Sequence, residues 1–254
     1  MRVAVIGGTG GLGSLVVAEL AARGDAVRAV SRNAPAAGTL PAGVEHARAD
    51  LANGDGVREA LDGVDAVLDA SNDRRSARDV LVDGTLRLVA AGADAGVQHH
   101  VFISIVGCDR VPNAYYDVKV AQEEALAGGI VPWSLLRATQ FHTLLAGVFA
   151  GTARRRLLPT GRMLLQPIDT PVVARRLADV VHAGPAGRVP DLAGPQVETL
   201  AQLAGSWRAH HRGWLLPLPI PALGKGFRAM RDGGLTDPAA AADGPTFAQW
   251  LARR

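Results

Sequence analysis

Cysteine is nearly missing from this chain of 254 residues, which carries only Cys108. No internal disulfide can form and no cysteine-rich metal site exists, which suits a reducing compartment and makes the cytoplasm the expected location. Lysine is equally scarce, standing only at Lys119 and Lys225, so arginine carries the basic charge. Those arginines are scattered over the chain and the net charge is +3. That distribution is not the stripe of a nucleic-acid footprint, and the one local cluster, Arg154 to Arg156, reads as a solvated helix end. Long apolar runs are also wanting: the longest stretch, 130–153, is interrupted by Pro132, Arg137 and His142. No membrane span is expected. The first strand reads from Arg2, so no charged segment followed by an apolar one precedes it and secretion is not expected. Metal-ligand spacing is absent, because His99-His100 and His210-His211 are adjacent pairs whose side chains diverge.

What is present is a globular composition, 48% apolar and 20% charged. Apolar runs recur at Val3 to Ile6, Ala26 to Ser31, Ala66 to Leu68, Val101 to Ser104 and Trp133 to Leu136, separated by helical patterns near 11–23, 55–62, 77–95, 114–128 and 141–151. The runs lack polar alternation, as strands covered on both faces do. Alternation of this kind predicts an α/β fold, a Rossmann-type doubly wound parallel sheet. Beyond Thr152 short apolar pieces alternate with Pro and Gly, and helices are expected at about 171–183 and 200–210, the latter opened by a capping box of Thr199 and Gln202. The expected organisation is a dinucleotide-binding core over 1–152 and a small C-terminal substrate or lid lobe over 153–254, packed as one compact unit.

The strongest signal is the turn Gly7-Gly8-Thr9-Gly10-Gly11-Leu12-Gly13, which directly follows the first strand and directly precedes a helix. Gly7 permits the tight turn, Gly10 lets backbone approach a pyrophosphate, and Gly13 allows close packing of helix on strand. Backbone amides and the helix dipole then attract the anion, with Thr9, Gly11 and Leu12 completing the turn. At the end of the second strand, where a carboxylate would select NAD, stand Ser31-Arg32-Asn33. Arg32 offers a fork-shaped contact to a 2′-phosphate, so NADP(H) is the expected cofactor. Asp50 and Leu51 at the end of the third strand, and Asp69-Ala70-Ser71 after the fourth, also fit a dinucleotide site. Asp50 could accept from the adenine amino group, and Ala70 and Ser71 are small enough for cofactor to lie across the sheet edge. Turn and cap roles for these residues remain open.

Tyr115 and Lys119 are four apart on an expected helix and project from one face. An ammonium beside a phenol favours the phenolate and so eases proton transfer at neutral pH. The segments Ser104 to Arg110, Tyr115 to Lys119, Leu136 to His142, Gln166-Pro167-Ile168 and Leu192 to Pro195 resemble the NmrA-like branch of the atypical short-chain dehydrogenase/reductases. That resemblance implies an NAD(P)-binding fold whose members include reductases, epimerase-like enzymes and cofactor sensors. It further implies Tyr115 as general acid, Lys119 as holder of the nicotinamide ribose and Ser104 as polariser of a carbonyl. Against it, the same spacing is common on surface helices, Ser104 could simply end a strand, adjacent Tyr116 leaves the register open, and no Asn-Ala-Gly follows the fourth strand.

Thr139, Gln140, Phe141, His142 and Gln166 are the expected substrate-facing residues, although a lone His at a helix start is more often a cap or packing residue. Met163, Trp207, Trp214, Leu215, Phe227 and Met230 would make the pocket apolar, or would be plain core. The expected function is NADPH-dependent reduction, or a related isomerisation, of a small, largely apolar carbonyl or quinone-like substrate. The alternative is a non-catalytic NADP(H)-sensing regulatory or scaffold protein. No nucleic acid, membrane or metal partner is expected, and homo-oligomerisation is left open.

Overall fold

The computed structural model describes residues 1–221, 223–242 and 244–254. Its elements run β1 (Arg2–Ile6), α1 (Gly13–Ala22), β2 (Ala26–Ser31), β3 (Glu45–Arg48), α2 (Val57–Ala60), β4 (Ala66–Asp69), α3 (Gly84–Asp94), β5 (His99–Ile105), α4 (Ala114–Ala127), β6 (Trp133–Ala138), α5 (His142–Ala153), β7 (Leu157–Thr160), β8 (Leu164–Leu165), α6 (Thr170–Ala183), β9 (Gly187–Arg188), β10 (Glu198–Thr199), α7 (Leu200–His210), β11 (Leu216–Pro219), α8 (Lys225–Arg231) and α9 (Phe247–Ala252). They fall into two units. The first comprises Met1–Ser104, Asp117–Leu136 and Val173–Val189, and the second Ile105–Tyr116, Arg137–Val172 and Pro190–Arg254. The units interleave along the chain, and the boundary read after residue 152 lies inside α5.

In the first unit a parallel sheet has the strand order β3-β2-β1-β4-β5-β6-β9. Strands β1 and β4 are buried almost throughout, from Val3 to Ile6 and from Ala66 to Asp69, which is why their sequences are unbroken apolar runs. The order reverses between β1 and β4. In a doubly wound sheet that switch point opens a crevice at the strands' C-terminal ends, where ligands bind. Register places Ile6 beside Asp69 and Asp69 beside Phe102, so the ends of β1, β4 and β5 lie side by side.

Several elements differ from their sequence reading. The helix expected at 55–62 contracts to Val57–Ala60 behind Gly56, whose φ of +71° breaks the helical path. The expected helix 77–95 divides into a π-helical turn, Arg78–Asp83, and α3. Strand β9, too short to read as an apolar run, adds a seventh strand beside β6. Asp50 lies two residues beyond β3 rather than at its end.

The second unit is organised on an apolar cluster in which Phe149, Leu203 and Phe247 are fully buried. Parallel β7 and β11 form one small sheet, antiparallel β8 and β10 another. The capping box at the start of α7 forms as the sequence indicates, with Thr199 accepting from the Gln202 N–H and the Gln202 side chain accepting from the Thr199 N–H. Met163, Trp207 and Leu215 lie in this cluster and Met230 packs against it, whereas Trp214 and Phe227 are exposed. Four of the six residues expected to line an apolar pocket are therefore core.

Candidate functional site

The chain leaves β1 through Gly7, whose φ of +74° favours glycine. A Cβ on Gly7 would stand 2.9 Å from the Ala70 carbonyl oxygen, and one on Gly8 would stand 2.8 Å from that of Val5. On Gly13 it would run into the carbonyl of Gly7. Those three positions have no room for a side chain, while Thr9, Gly10 and Gly11 are exposed and the space at Gly11 is open. No side chain caps the N-terminus of α1 at Leu12; the Ser14 and Leu15 N–H groups donate to the Gly10 and Leu12 carbonyls, and the dipole of the helix favours an anion at this end. The turn is a glycine-lined backbone loop at the switch point of the sheet, the position at which doubly wound folds hold a dinucleotide pyrophosphate.

At the end of β2, Ser31 Oγ donates to the Asn33 carbonyl at 2.8 Å and lies 3.0 Å from His46 Nε2. The Arg32 guanidinium is mostly exposed and stands 3.8 Å from the Asp73 carboxylate. His46 and Asp73 were not legible from the sequence, because only the β2–β3 register and the path of the loop after β4 bring them here. Asp50 accepts from the Ala52 N–H at 2.9 Å and its own N–H donates to Asp55 at 2.8 Å. The turn role is the one the geometry gives it. Leu51 is buried against Gly84.

After β4, the Ser71 N–H donates to Asp69 Oδ1 at 2.8 Å, whereas Asp69 Oδ2 and Ser71 Oγ are buried with no hydrogen-bond partner among the described residues. Burial pushes the Asp69 carboxyl above the usual carboxylate range, opposed by the bond from Ser71 and by the Lys119 charge. Unsatisfied buried polar atoms are costly, and two of them beside the glycine turn, next to Ala70, fit a polar ligand. Ser104 is buried near the end of β5.

Lys119 is buried on α4. Its Nζ donates to the Ile103 carbonyl at 3.2 Å and to Gln122 Oε1 at 2.9 Å, and it lies 4.4 Å from the centre of the Phe102 ring. Gln122 in turn donates to Thr85 Oγ1 at 3.1 Å, and Thr85 to the Leu81 carbonyl at 2.6 Å. Lys119, Gln122 and Thr85 are all buried, so the chain of bonds fixes the ammonium against the end of β5. Gln122 was missed at the sequence level, although its position three residues after Lys119 places both on one helix face.

In the second unit, Tyr115 and Tyr116 are half-buried in the first turn of α4, with ring centroids 6.1 Å apart, and Asn113 caps that turn by accepting from the Tyr115 N–H at 2.9 Å. Most of the residues expected to face substrate also make bonds within the fold. Gln166 donates to the Gly194 carbonyl at 2.8 Å and accepts from the Asp237 N–H at 2.8 Å. Gln140 donates to the Leu235 carbonyl at 3.0 Å and accepts from the Gln166 N–H at 3.2 Å, while Thr139 Oγ1 accepts from the Gly194 N–H at 3.1 Å. These three side chains tie loops together. His142 is fully buried, donates through Nε2 to the Pro245 carbonyl at 3.0 Å, and lies against the Phe247 and Trp250 rings. Burial pushes its imidazole down, and it is placed as a packing residue. Phe141 remains half-buried, its backbone bridged to Ile168.

Among the described residues, no cluster of His, Cys, Asp or Glu could hold a metal ion, and no helix is long and apolar enough to cross a membrane. Residues 7–154 match the family model described as NAD(P)H-binding. The photosystem II assembly factor Ycf39 of Trieres chinensis is 32% identical over 165 residues, 63% of this chain and 50% of that protein. The chain thus spans about half the length of that relative. The (4-alkanoyl-5-oxo-2,5-dihydrofuran-3-yl)methyl phosphate reductase of Streptomyces griseus is 30% identical over 205 residues, 78% of this chain and 69% of that protein. Among solved structures, the NADPH-dependent quinone oxidoreductase of Escherichia coli, complexed with NADPH, superposes with a TM-score of 0.82 at 21% identity, covering 99% of each chain.

Proposed function

This chain belongs to the NAD(P)H-binding family, and from that premise we propose that it is an NADPH-dependent oxidoreductase acting on a small, largely apolar carbonyl or quinone-like compound. The observation that carries the reading is Lys119, a buried lysine clamped by Ile103 and Gln122 and standing on α4 four residues after Tyr115. Burying an ammonium is expensive, and the sheet end against which this one is held is the ligand crevice of the fold. The Gly7 to Gly13 turn, with Ala70 and Ser71 beside it, would hold the pyrophosphate portion of the cofactor, and Arg32 with Ser31 its 2′-phosphate. NADPH, when bound, supplies a hydride. Tyr115 Oη would then deliver the accompanying proton to the substrate oxygen, Lys119 Nζ would favour the phenolate left behind and hold the ribose, and Ser104 Oγ would polarise the carbonyl. Oxidoreductases in the comparisons, a reductase and a quinone oxidoreductase by name, support the substrate class.

The test is NADPH oxidation by the purified protein with menadione and a panel of ketones. Tyr115→Phe is expected to lower kcat by about 10²–10⁴-fold with NADPH affinity unchanged. Full turnover by that variant would remove Tyr115 from the mechanism. A second reading, a cofactor-binding scaffold without turnover, is favoured by two observations. The side chains of Thr139, Gln140 and Gln166 are bonded to loop backbone, and a relative carries the name of an assembly factor. Tight NADPH binding with no turnover on any compound of the panel would select it.

A further inference from the structure

Strands β2 and β4 flank β1 in the sheet, so the loops that follow them stand on either side of the glycine turn. An ion pair joins those loops: Arg32 from the β2 side and Asp73 from the β4 side, 3.8 Å apart. The two partners are unequally held. Arg32 is 60% exposed, whereas Asp73 is only 18% exposed and its Oδ1 accepts the Arg75 N–H at 2.8 Å and the Ser76 N–H at 2.9 Å. Those two bonds anchor the carboxylate to its own loop, leaving Oδ2 directed at the guanidinium. They also help to hold the carboxyl below its ordinary range, so it is negative at neutral pH, as a phosphate is.

We infer that Asp73 is a specificity-determining residue that competes with the cofactor's 2′-phosphate for Arg32. The inference rests on the reading of Arg32 as the 2′-phosphate ligand. A guanidinium fork can serve one oxyanion fully or divide itself between two. With Asp73 anchored beside it, a 2′-phosphate gains less from Arg32 than an uncontested arginine would provide. NADH has no phosphate at that position and leaves the pair as it is. Asp73 therefore moderates the preference for NADPH over NADH, and it does so without touching the nicotinamide end.

The experiment is a titration of the full-length protein with NADPH and NADH, followed by cofactor fluorescence, for the parent, Asp73→Asn, Arg32→Ala and the double variant. Asn keeps a carbonyl oxygen for the Arg75 and Ser76 amides and removes only the charge; Asp73→Ser, which also caps with an oxygen, serves as the second variant. Asp73→Asn is expected to tighten NADPH roughly two- to fivefold, the scale of a surface ion pair, to leave NADH unchanged, and to have no effect on NADPH in the Arg32→Ala background. Unchanged NADPH affinity, or equal tightening of both cofactors, overturns the competition. The underlying reading fails separately: Arg32→Ala would then leave the NADPH-to-NADH ratio untouched, whatever Asp73→Asn does.

Discussion

His100 offers a direct test of how strongly the interior resists charge. Its ring is 2% exposed on β5, Nε2 has no hydrogen-bond partner among the described residues, and burial, aided by neighbouring His99, pushes its pKa down to about 4. In the unfolded chain the same imidazole titrates near 6.5. Between those values the unfolded state binds a proton that the folded state refuses, so stability rises with pH across that window. The contribution is complete above the unfolded value and is lost as pH falls towards about 4, with no further loss from this residue below. A displacement of about 2.5 units corresponds to about 3 kcal/mol in full, of which about 2.5 kcal/mol is lost at about pH 4.5. His100→Leu removes the titrating group and keeps the position apolar. Urea unfolding of both proteins, read by tryptophan fluorescence at about pH 7.5 and about pH 4.5, measures the stability difference at each pH, and the variant is expected to gain about 2.5 kcal/mol on the parent over that interval. His99, which burial also lowers, remains in both proteins and cancels to first order. A difference that stays constant to within about 0.5 kcal/mol would refute the reasoning, because the folded protein would then accept the proton as readily as water does.

Two further predictions concern the glycine turn and the lysine clamp. Gly13→Ala drives a methyl into the Gly7 carbonyl and is expected to lower stability by about 1–3 kcal/mol and to weaken NADPH binding, whereas Gly11→Ala, with open space around it, is expected to leave stability unchanged; denaturant melts separate the two. Gln122→Leu removes one acceptor from Lys119 and one donor from Thr85, leaving them the Ile103 and Leu81 carbonyls, and is expected to cost about 1–3 kcal/mol, while Gln122→Glu retains an acceptor for Lys119; urea unfolding is expected to find the Leu variant the less stable of the two.

The doubly wound sheet, the glycine turn after β1 and the Tyr115 and Lys119 spacing were readable because each depends on local rules. Strands buried on both faces must be apolar throughout, a turn without room for Cβ must be glycine, and residues four apart on a helix share a face. The substrate-side residues were not readable in this way. Gln140 and Gln166 have the polarity of ligand contacts, but whether an amide faces a cavity or a loop backbone depends on where residues 192–194 and 235–237 return, and those lie 25 or more positions away along the chain. His142 shows the same limit from the other side, since only the arrival of Pro245, Phe247 and Trp250 buries it.

By itself the sequence determined the fold class and the glycine turn after β1, since strand burial and glycine geometry act over a few residues. Only the tertiary structure decided which polar side chains are left for a ligand. Hydrogen-bonding capacity is finite, and each donor or acceptor is claimed first by whatever group the fold brings within about 3 Å: Gln122 for Lys119 and Gly194 for Thr139.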